Sequence, residues 1–189
     1  MQQNRGVQAS RRDWSALPLL VPAGLHRWLL HRDSLTALLR AHCEDLRVCP
    51  IVQRFAFACD DERAALGVRA RERVWVRQVR LMCDGAPVVF AHSVVSRSGL
   101  RRSWRALNAL GRRALGDLLF SNPQVHRLPF GFKRLRPGHA LWNAAIAALE
   151  LDAAGLWARR SLFVLRGQRL WVTEVFSPRV LELNRLKSN

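Results

Sequence analysis

Lysine is almost missing from this chain: Lys133 and Lys187 are the only two, although lysine and arginine together number 31. Acidic residues are also few, 14 in all, so the formal net charge is +17. Such a surplus can attract nucleic acid, an anionic membrane or a polyanionic small molecule, and its sign alone does not choose. The arginines are scattered through every segment instead of forming one stripe or an aromatic-interleaved groove. Together with abundant alanine and leucine this is what codon composition alone can produce, and no nucleic-acid partner is expected. Long apolar runs are missing too. Leu17 to Leu30 is interrupted by Pro18, Pro22, His26 and Arg27, so no stable membrane insertion is expected. Met1 to Asp13 has no compact apolar stretch followed by a small-residue cleavage site and is read as a frayed tail rather than a secretory leader. Cysteine is sparse and unpatterned. Cys43, Cys49, Cys59 and Cys83 form no Cys-x-x-Cys pair and have no histidine at zinc spacing, so no metal is expected. Cys59 and Cys83 fall at or near strand ends and read as reduced, half-buried thiols, which implies a cytoplasmic location. Phosphate-loop, dinucleotide-fingerprint, nucleophile-elbow and His-Glu-x-x-His signatures are all absent, which removes many enzyme classes.

What is present is an ordinary globular composition, 49% hydrophobic and 24% charged, at a length that suits one domain over 1–189 with tails at 1–19 and 179–189. Leu20 to His31 reads as a short helix, and Asp33 or Ser34 is a natural N-cap for a second one beginning at Leu35. Val48 to Ala58 alternates as a first strand, with a turn at Cys59-Asp60-Asp61. Arg73 to Cys83, the turn Asp84-Gly85, and Ala86 to Val95 form a strong hairpin signature, because Asp-Gly supplies the positive φ angles of a two-residue turn. A later hairpin runs from Ser161 to Arg166, through Gly167-Gln168, to Arg169 to Phe176. Helical material lies between them, at Leu100 to Leu110, Arg113 to Phe120 and His139 to Leu149. Helices grouped between strand pairs imply an α+β fold with a single antiparallel sheet of about six strands.

Two charges occupy positions where hydrocarbon is expected. Arg77 alternates onto the same strand face as Trp75, Val79 and Leu81, and Glu174 onto the face of Leu170, Val172 and Phe176. An unpaired buried charge costs several kcal/mol, so each needs a partner, either the other or a polar ligand. In the second case an arginine fork would hold a carboxylate and a glutamate would accept from a hydroxyl or move a proton. Backbone N–H groups at Ser34-Leu35 and Leu115-Gly116 could add anion contacts. Of the six histidines only His92, within a strand, could line such a pocket, as a second-tier candidate.

At this point the chain resembles a known family, chorismate pyruvate-lyase, which makes 4-hydroxybenzoate at the entry to ubiquinone biosynthesis. The segments that carry the resemblance run in order over about residues 25 to 178. They are Trp28-Leu29-Leu30 with Asp33-Ser34-Leu35-Thr36, Trp75-Val76-Arg77-Gln78-Val79, Cys83-Asp84-Gly85, Leu110-Gly111 with Ala114 to Phe120, Leu156 to Ser161, and Val172 to Pro178. The resemblance implies a cofactor-free lyase on an antiparallel sheet, with helical flaps over a buried site, acting on chorismate and yielding 4-hydroxybenzoate and pyruvate. It implies that Arg77 binds a carboxylate, that Glu174 meets the phenolic oxygen, and that Leu35 and Leu115 contribute backbone contacts. A monomer is expected. Relatives typically carry an arginine and a proline where this chain has His92 and Ser96, and the stretch from Ser121 to Ala154 reads as a surface elaboration or altered flap. Two other readings stand beside this one. Effector-binding domains of some bacterial transcription regulators share the fold, but only about 20 residues precede the first helix, too few for a winged helix. A basic nucleic-acid binder would leave Arg77 and Glu174 unexplained.

Overall fold

A computed structural model of the chain describes residues 14–18 and 20–184; the expected frayed tail from Met1 to Asp13 lies outside them. Helices α1 (Ala23–Leu30) and α2 (Leu35–Arg40) open the fold, and Ser34 caps α2 by accepting a hydrogen bond from the Ala37 N–H. Strand β1 (Leu46–Phe57) leads into α3 (Asp60–Leu66), where only a turn was expected. Asp60, Asp61 and Glu62 place three acids at the positive end of that helix. The Glu62 carboxylate also reaches back to the Cys59 N–H at 3.0 Å, and Gly67 closes the helix in the left-handed region. The hairpin of β2 (Arg73–Cys83) and β3 (Ala86–Val95) has the expected bounds, with positive φ at both Asp84 and Gly85.

Between the hairpins lie α4 (Arg97–Arg101), a 3-10 turn (Arg105–Ala109), α5 (Leu115–Phe120), the short strands β4 (His126–Arg127) and β5 (Gly131–Leu135), and α6 (Trp142–Leu149). The helix expected from Leu100 to Leu110 is therefore two short pieces. The stretch from 121 to 154, read as a surface elaboration or altered flap, supplies two strands to the sheet. β6 (Leu156–Leu165) and β7 (Gln168–Phe176) form the second long hairpin, and its turn is Arg166-Gly167, one residue earlier than expected.

All seven strands belong to one antiparallel sheet in the order β1-β2-β3-β7-β6-β4, with β5 also paired to β6. One face packs on α3 and α6 through Val76, Val94, Leu162 and Trp171 and through Phe90, Ala158 and Val175. The other meets α1, α2, α5 and the 3-10 turn, with Trp28, Leu29, Leu39, Val89 and Phe176 in one cluster and Trp75, Leu107 and Phe163 in another. Residues expected in the tails join this packing. Trp14 is buried and Ser15 bridges to Phe132, while Pro178–Asn184 forms a 3-10 segment that buries Val180 and Leu183.

Cys83 departs from the expected free thiol. Cys43, after α2, and Cys83, at the end of β2, are joined in a disulfide with Cα atoms 5.5 Å apart, so the loop after α2 is stapled to the sheet. Cys49 and Cys59 are free.

Candidate functional site

Strand register explains how the site is assembled. Arg77 on β2 pairs with Ser93 on β3, Ser93 with Val172 on β7, and Val172 with Ser161 on β6. The adjacent row on the same face is Val79, Ala91, Glu174 and Arg159. Arg77 and Glu174 thus share a face but are two strands and one row apart, so their Cα atoms are separated by about 12 Å. All eight residues line one cavity between the sheet and helices α2 and α5, with an empty volume of about 580 Å³ that includes its open mouth.

Arg77 is 2% exposed. Its Nη2 donates to the Gly111 carbonyl at 2.9 Å and the Arg113 carbonyl at 3.2 Å, while Nε is buried without a partner. No carboxylate is within ion-pair distance of it among the described residues, and burial pushes its pKa down to about 10. A cation in this condition stays charged at neutral pH but lacks compensation, which makes it a receptor for an anion. Glu174 is compensated differently. Its Oε2 accepts from Arg159 Nε at 2.5 Å, and Arg159 Nη1 donates in turn to the carbonyls of Trp28, Leu29 and His31 at the end of α1. Arg159 is fully buried and thereby locks the glutamate to a helix C-terminus. The direct Arg77 to Glu174 ion pair that the sequence allowed is not formed. The two charges sit apart with open volume between the walls that hold them.

Helices α2 and α5 cover this face. Ser34 caps the N3 position of α2, so the helix itself leaves the N–H groups of Leu35 and Thr36 unsatisfied; Leu115 and Gly116 hold the same positions in α5. Leu35, Thr36, Leu115 and Gly116 all line the cavity. The helices approach closely because residue 116 is glycine: a Cβ there would lie 2.6 Å from Ser34 Oγ. A two-pronged pair between Arg40 and Asp117, both bonds 2.9 Å, joins them on the outside.

Of the residues singled out in the sequence, Arg77, Glu174, Leu35 and Leu115 converge on the cavity. His92 does not. It alternates with Ala91 and Ser93 onto the opposite face, where its Nε2 lies 2.9 Å from Glu62 Oε1 and its Nδ1 3.1 Å from Gln78 Nε2. Strand alternation alone places it there, and its role is to join α3 to the sheet. Two lining arginines escaped notice, Arg159 and Arg127. The signal for Arg159 was the pair Arg159-Arg160, because consecutive residues in a two-sided strand necessarily send one side chain to each face. The expected strand began at Ser161, just past them. Arg127 lies in a two-residue strand too short for any periodicity to show. A metal finds little here. The only clustered metal-ligating atoms among the described residues belong to Cys43, Cys83 and Asp84, and the two sulfurs are bonded to each other.

The sequence profile of the family described as chorismate lyase matches residues 10–185. A protein of Nitrosomonas eutropha named probable chorismate pyruvate-lyase is 48% identical over 170 residues, covering 90% of this chain and 96% of its own length. Proteins of the same name from Nitrosospira multiformis and Aromatoleum aromaticum are 47% and 45% identical, covering 90% and 86% of this chain and 96% and 89% of their own. Among solved structures, the effector domain of PhnF from Mycobacterium smegmatis superposes with a TM-score of 0.56 at 14% identity, over 77% of this chain and 89% of that one. A GntR-family transcriptional regulator from Bacillus cereus gives 0.55 at 10%, over 72% and 94%. These structures share the fold alone, whereas the profile and the close relatives span nearly the whole sequence: the chain belongs to the chorismate lyase family.

Proposed function

We propose that this protein cleaves chorismate to 4-hydroxybenzoate and pyruvate, the step that opens ubiquinone biosynthesis. The observation that carries the reading is the pair of differently compensated charges in one cavity. Arg77 is a buried cation with no anion, suited to the ring carboxylate, and Glu174 is a carboxylate held as an acceptor by Arg159, suited to the C4 hydroxyl. Backbone N–H groups of Leu35 and Leu115 would share the ring carboxylate with Arg77.

The reaction removes the hydrogen at C4 and breaks the C3–O bond to the enolpyruvyl group, and the ring becomes aromatic. In the concerted route the hydrogen passes to the methylene of that same group, giving pyruvate directly. In the stepwise route a base takes it and enolpyruvate departs. Aromatisation supplies much of the driving force in either case. The protein's contribution is then orientation by two fixed charges, together with stabilisation of negative charge on the departing oxygen. A monomer working without a cofactor belongs to the same reading, whereas the cytoplasmic location argued from reduced thiols loses that support at Cys83, which is bonded to Cys43.

The test is direct. Purified protein incubated with chorismate and no added metal should produce 4-hydroxybenzoate, followed by its ultraviolet absorbance, and pyruvate in equal amount. Absence of both at high enzyme concentration refutes the assignment.

A further inference from the structure

Chorismate carries two carboxylates, one on the ring and one on the enolpyruvyl group, and the roles above account for the first only. The second needs a cation of its own. Three guanidinium groups line the cavity, at Arg77, Arg127 and Arg159. Arg159 is already paired with Glu174 and bonded to three carbonyls at the end of α1, so its charge is compensated and only its Nη2 is left without a partner among the described residues. Arg127 is not. Its Nε donates to Ser161 Oγ at 3.0 Å and its Nη1 to the Arg32 carbonyl at 2.5 Å. Neither partner is charged, and no carboxylate stands within ion-pair distance of it among the described residues. Its Nη2 makes no hydrogen bond among those residues.

The group is also fixed in place. The guanidinium lies 3.8 Å from the centre of the Phe130 ring and 5.3 Å from that of Phe163, so its plane is set before any ligand arrives. Ser161 lines the cavity beside it and is 4% exposed. Accepting from Arg127 leaves the Ser161 hydroxyl hydrogen free to donate inward. Strand order puts Arg77 and Arg127 on opposite sides of the site, on β2 and β4, with β3, β7 and β6 between them. His92, the second-tier strand candidate for lining the pocket, faces the other way.

We propose that Arg127, with Ser161 beside it, receives the enolpyruvyl carboxylate of the substrate, opposite the ring carboxylate on Arg77. The assignment rests on the lyase reading and adds the determinant that separates substrate from aromatic product. A cation there also stands close to the C3–O bond that breaks, where negative charge gathers on the departing group.

The experiment compares two ligands that differ by the group in question. Arg127→Met keeps the side-chain bulk over Phe130 and removes the charge, and Arg127→Lys keeps the charge. The expected result is a loss of about 30-fold or more in kcat/KM for chorismate in Arg127→Met, with partial recovery in Arg127→Lys. The dissociation constant for 4-hydroxybenzoate, measured by titration calorimetry, should stay within about threefold of wild type in both variants, which also shows that they are folded. An unchanged kcat/KM overturns the inference. So does an equal loss of 4-hydroxybenzoate affinity, because the residue would then be shaping the cavity rather than reading the enolpyruvyl group. A wild-type protein that binds 4-hydroxybenzoate yet leaves chorismate intact is a different failure, which removes the lyase reading itself before any variant is made.

Discussion

Replacing Arg77 by methionine should separate ligand binding from stability. Burial lowers the Arg77 pKa from the ordinary arginine range to about 10, which corresponds to roughly 3 kcal/mol of cost in keeping the charge inside the empty protein. Opposing that cost are the bonds from Nη2 to the Gly111 and Arg113 carbonyls at 2.9 and 3.2 Å, each worth about 1.5 to 3 kcal/mol for a charged donor. These quantities nearly cancel. The unfolding free energy of Arg77→Met, from urea titration followed by tryptophan fluorescence, should therefore differ from wild type by less than about 2 kcal/mol in either direction. Affinity for 4-hydroxybenzoate should nevertheless fall at least 30-fold, since losing one partner of a desolvated charge contact costs roughly 2 to 5 kcal/mol. The pH dependence has a definite sign. The folded state holds the Arg77 proton less tightly than the unfolded state, so the cost is present at every pH below about 10 and fades as the pH rises from there toward the ordinary arginine range. Over that alkaline window wild type should gain stability relative to Arg77→Met.

Arg159→Met provides the contrast on the same face. It strands the Glu174 carboxylate and releases the carbonyls of Trp28, Leu29 and His31, and breaking a buried pair in this way costs about 3 to 5 kcal/mol. For a chain of this length that is a fall of roughly 6 to 20 °C in Tm. If Arg77→Met proves as destabilising as Arg159→Met, or binds 4-hydroxybenzoate normally, then Arg77 is a structural cation and the reasoning from missing compensation is wrong.

Three further outcomes can be checked. Gly116→Ala puts a Cβ 2.6 Å from Ser34 Oγ and should spread α5 from α2, weakening 4-hydroxybenzoate about tenfold or more by calorimetry; unaltered affinity would show that the two helix starts do not hold the ligand. Reducing the Cys43–Cys83 disulfide opens a bridge with a sequence separation of 40 and, in the chain-entropy account, removes up to about 4 kcal/mol of stability, visible as a lower urea midpoint in dithiothreitol. No difference between oxidised and reduced protein would mean that the bond restricts little in the unfolded chain. Burial pushes the Glu62 carboxyl up, but the His92 charge and the hydrogen bonds from His92 and the Cys59 N–H outweigh it and hold the group below its ordinary 4.5. Its contribution is present above about pH 4.5 and lost as pH falls through the lower folded value, so acid titration of Glu62→Gln should lack part of the stability loss that wild type shows there.

Local chemistry determined which parts of the fold could be read in advance. The Asp84-Gly85 hairpin was legible to the residue because both turn positions need positive φ and aspartate-glycine tolerates it. The Arg166-Gly167 turn was placed one residue late because arginine carries no such signal. Helix α3 was hidden behind Cys59-Asp60-Asp61, whose acids suit a turn as well as a helix start; the contact that decides it, Glu62 back to the Cys59 N–H, becomes visible only once the backbone is built. β4 and β5 are short and gain their stability from pairing with β6, which is long-range information that no window of sequence contains.

The site follows a different logic, because its signal is an imbalance rather than a pattern. Alternation showed that Arg77 and Glu174 lay on apolar faces, yet it could not say whether they met, since that depends on which strands lie between them. The order β2-β3-β7 keeps them two strands apart, so neither can satisfy the other and each must find compensation elsewhere. Glu174 finds it in Arg159, one strand further on, and Arg159 finds the rest of its own in the end of α1. Arg77 and Arg127 find carbonyls and a hydroxyl but no carboxylate within ion-pair distance among the described residues. Three arginines against Glu174 and Asp33 leave the lining of the empty cavity with a net positive charge, and only Arg159 of the three is in an ion pair among the described residues, an energetic cost that folding alone gives no reason to retain. A dianion entering such a cavity meets two cations without carboxylates and one carboxylate already held as an acceptor. The charges for which the folded chain supplies no counterion within ion-pair distance can therefore be picked out only from the complete strand order together with the face each residue occupies.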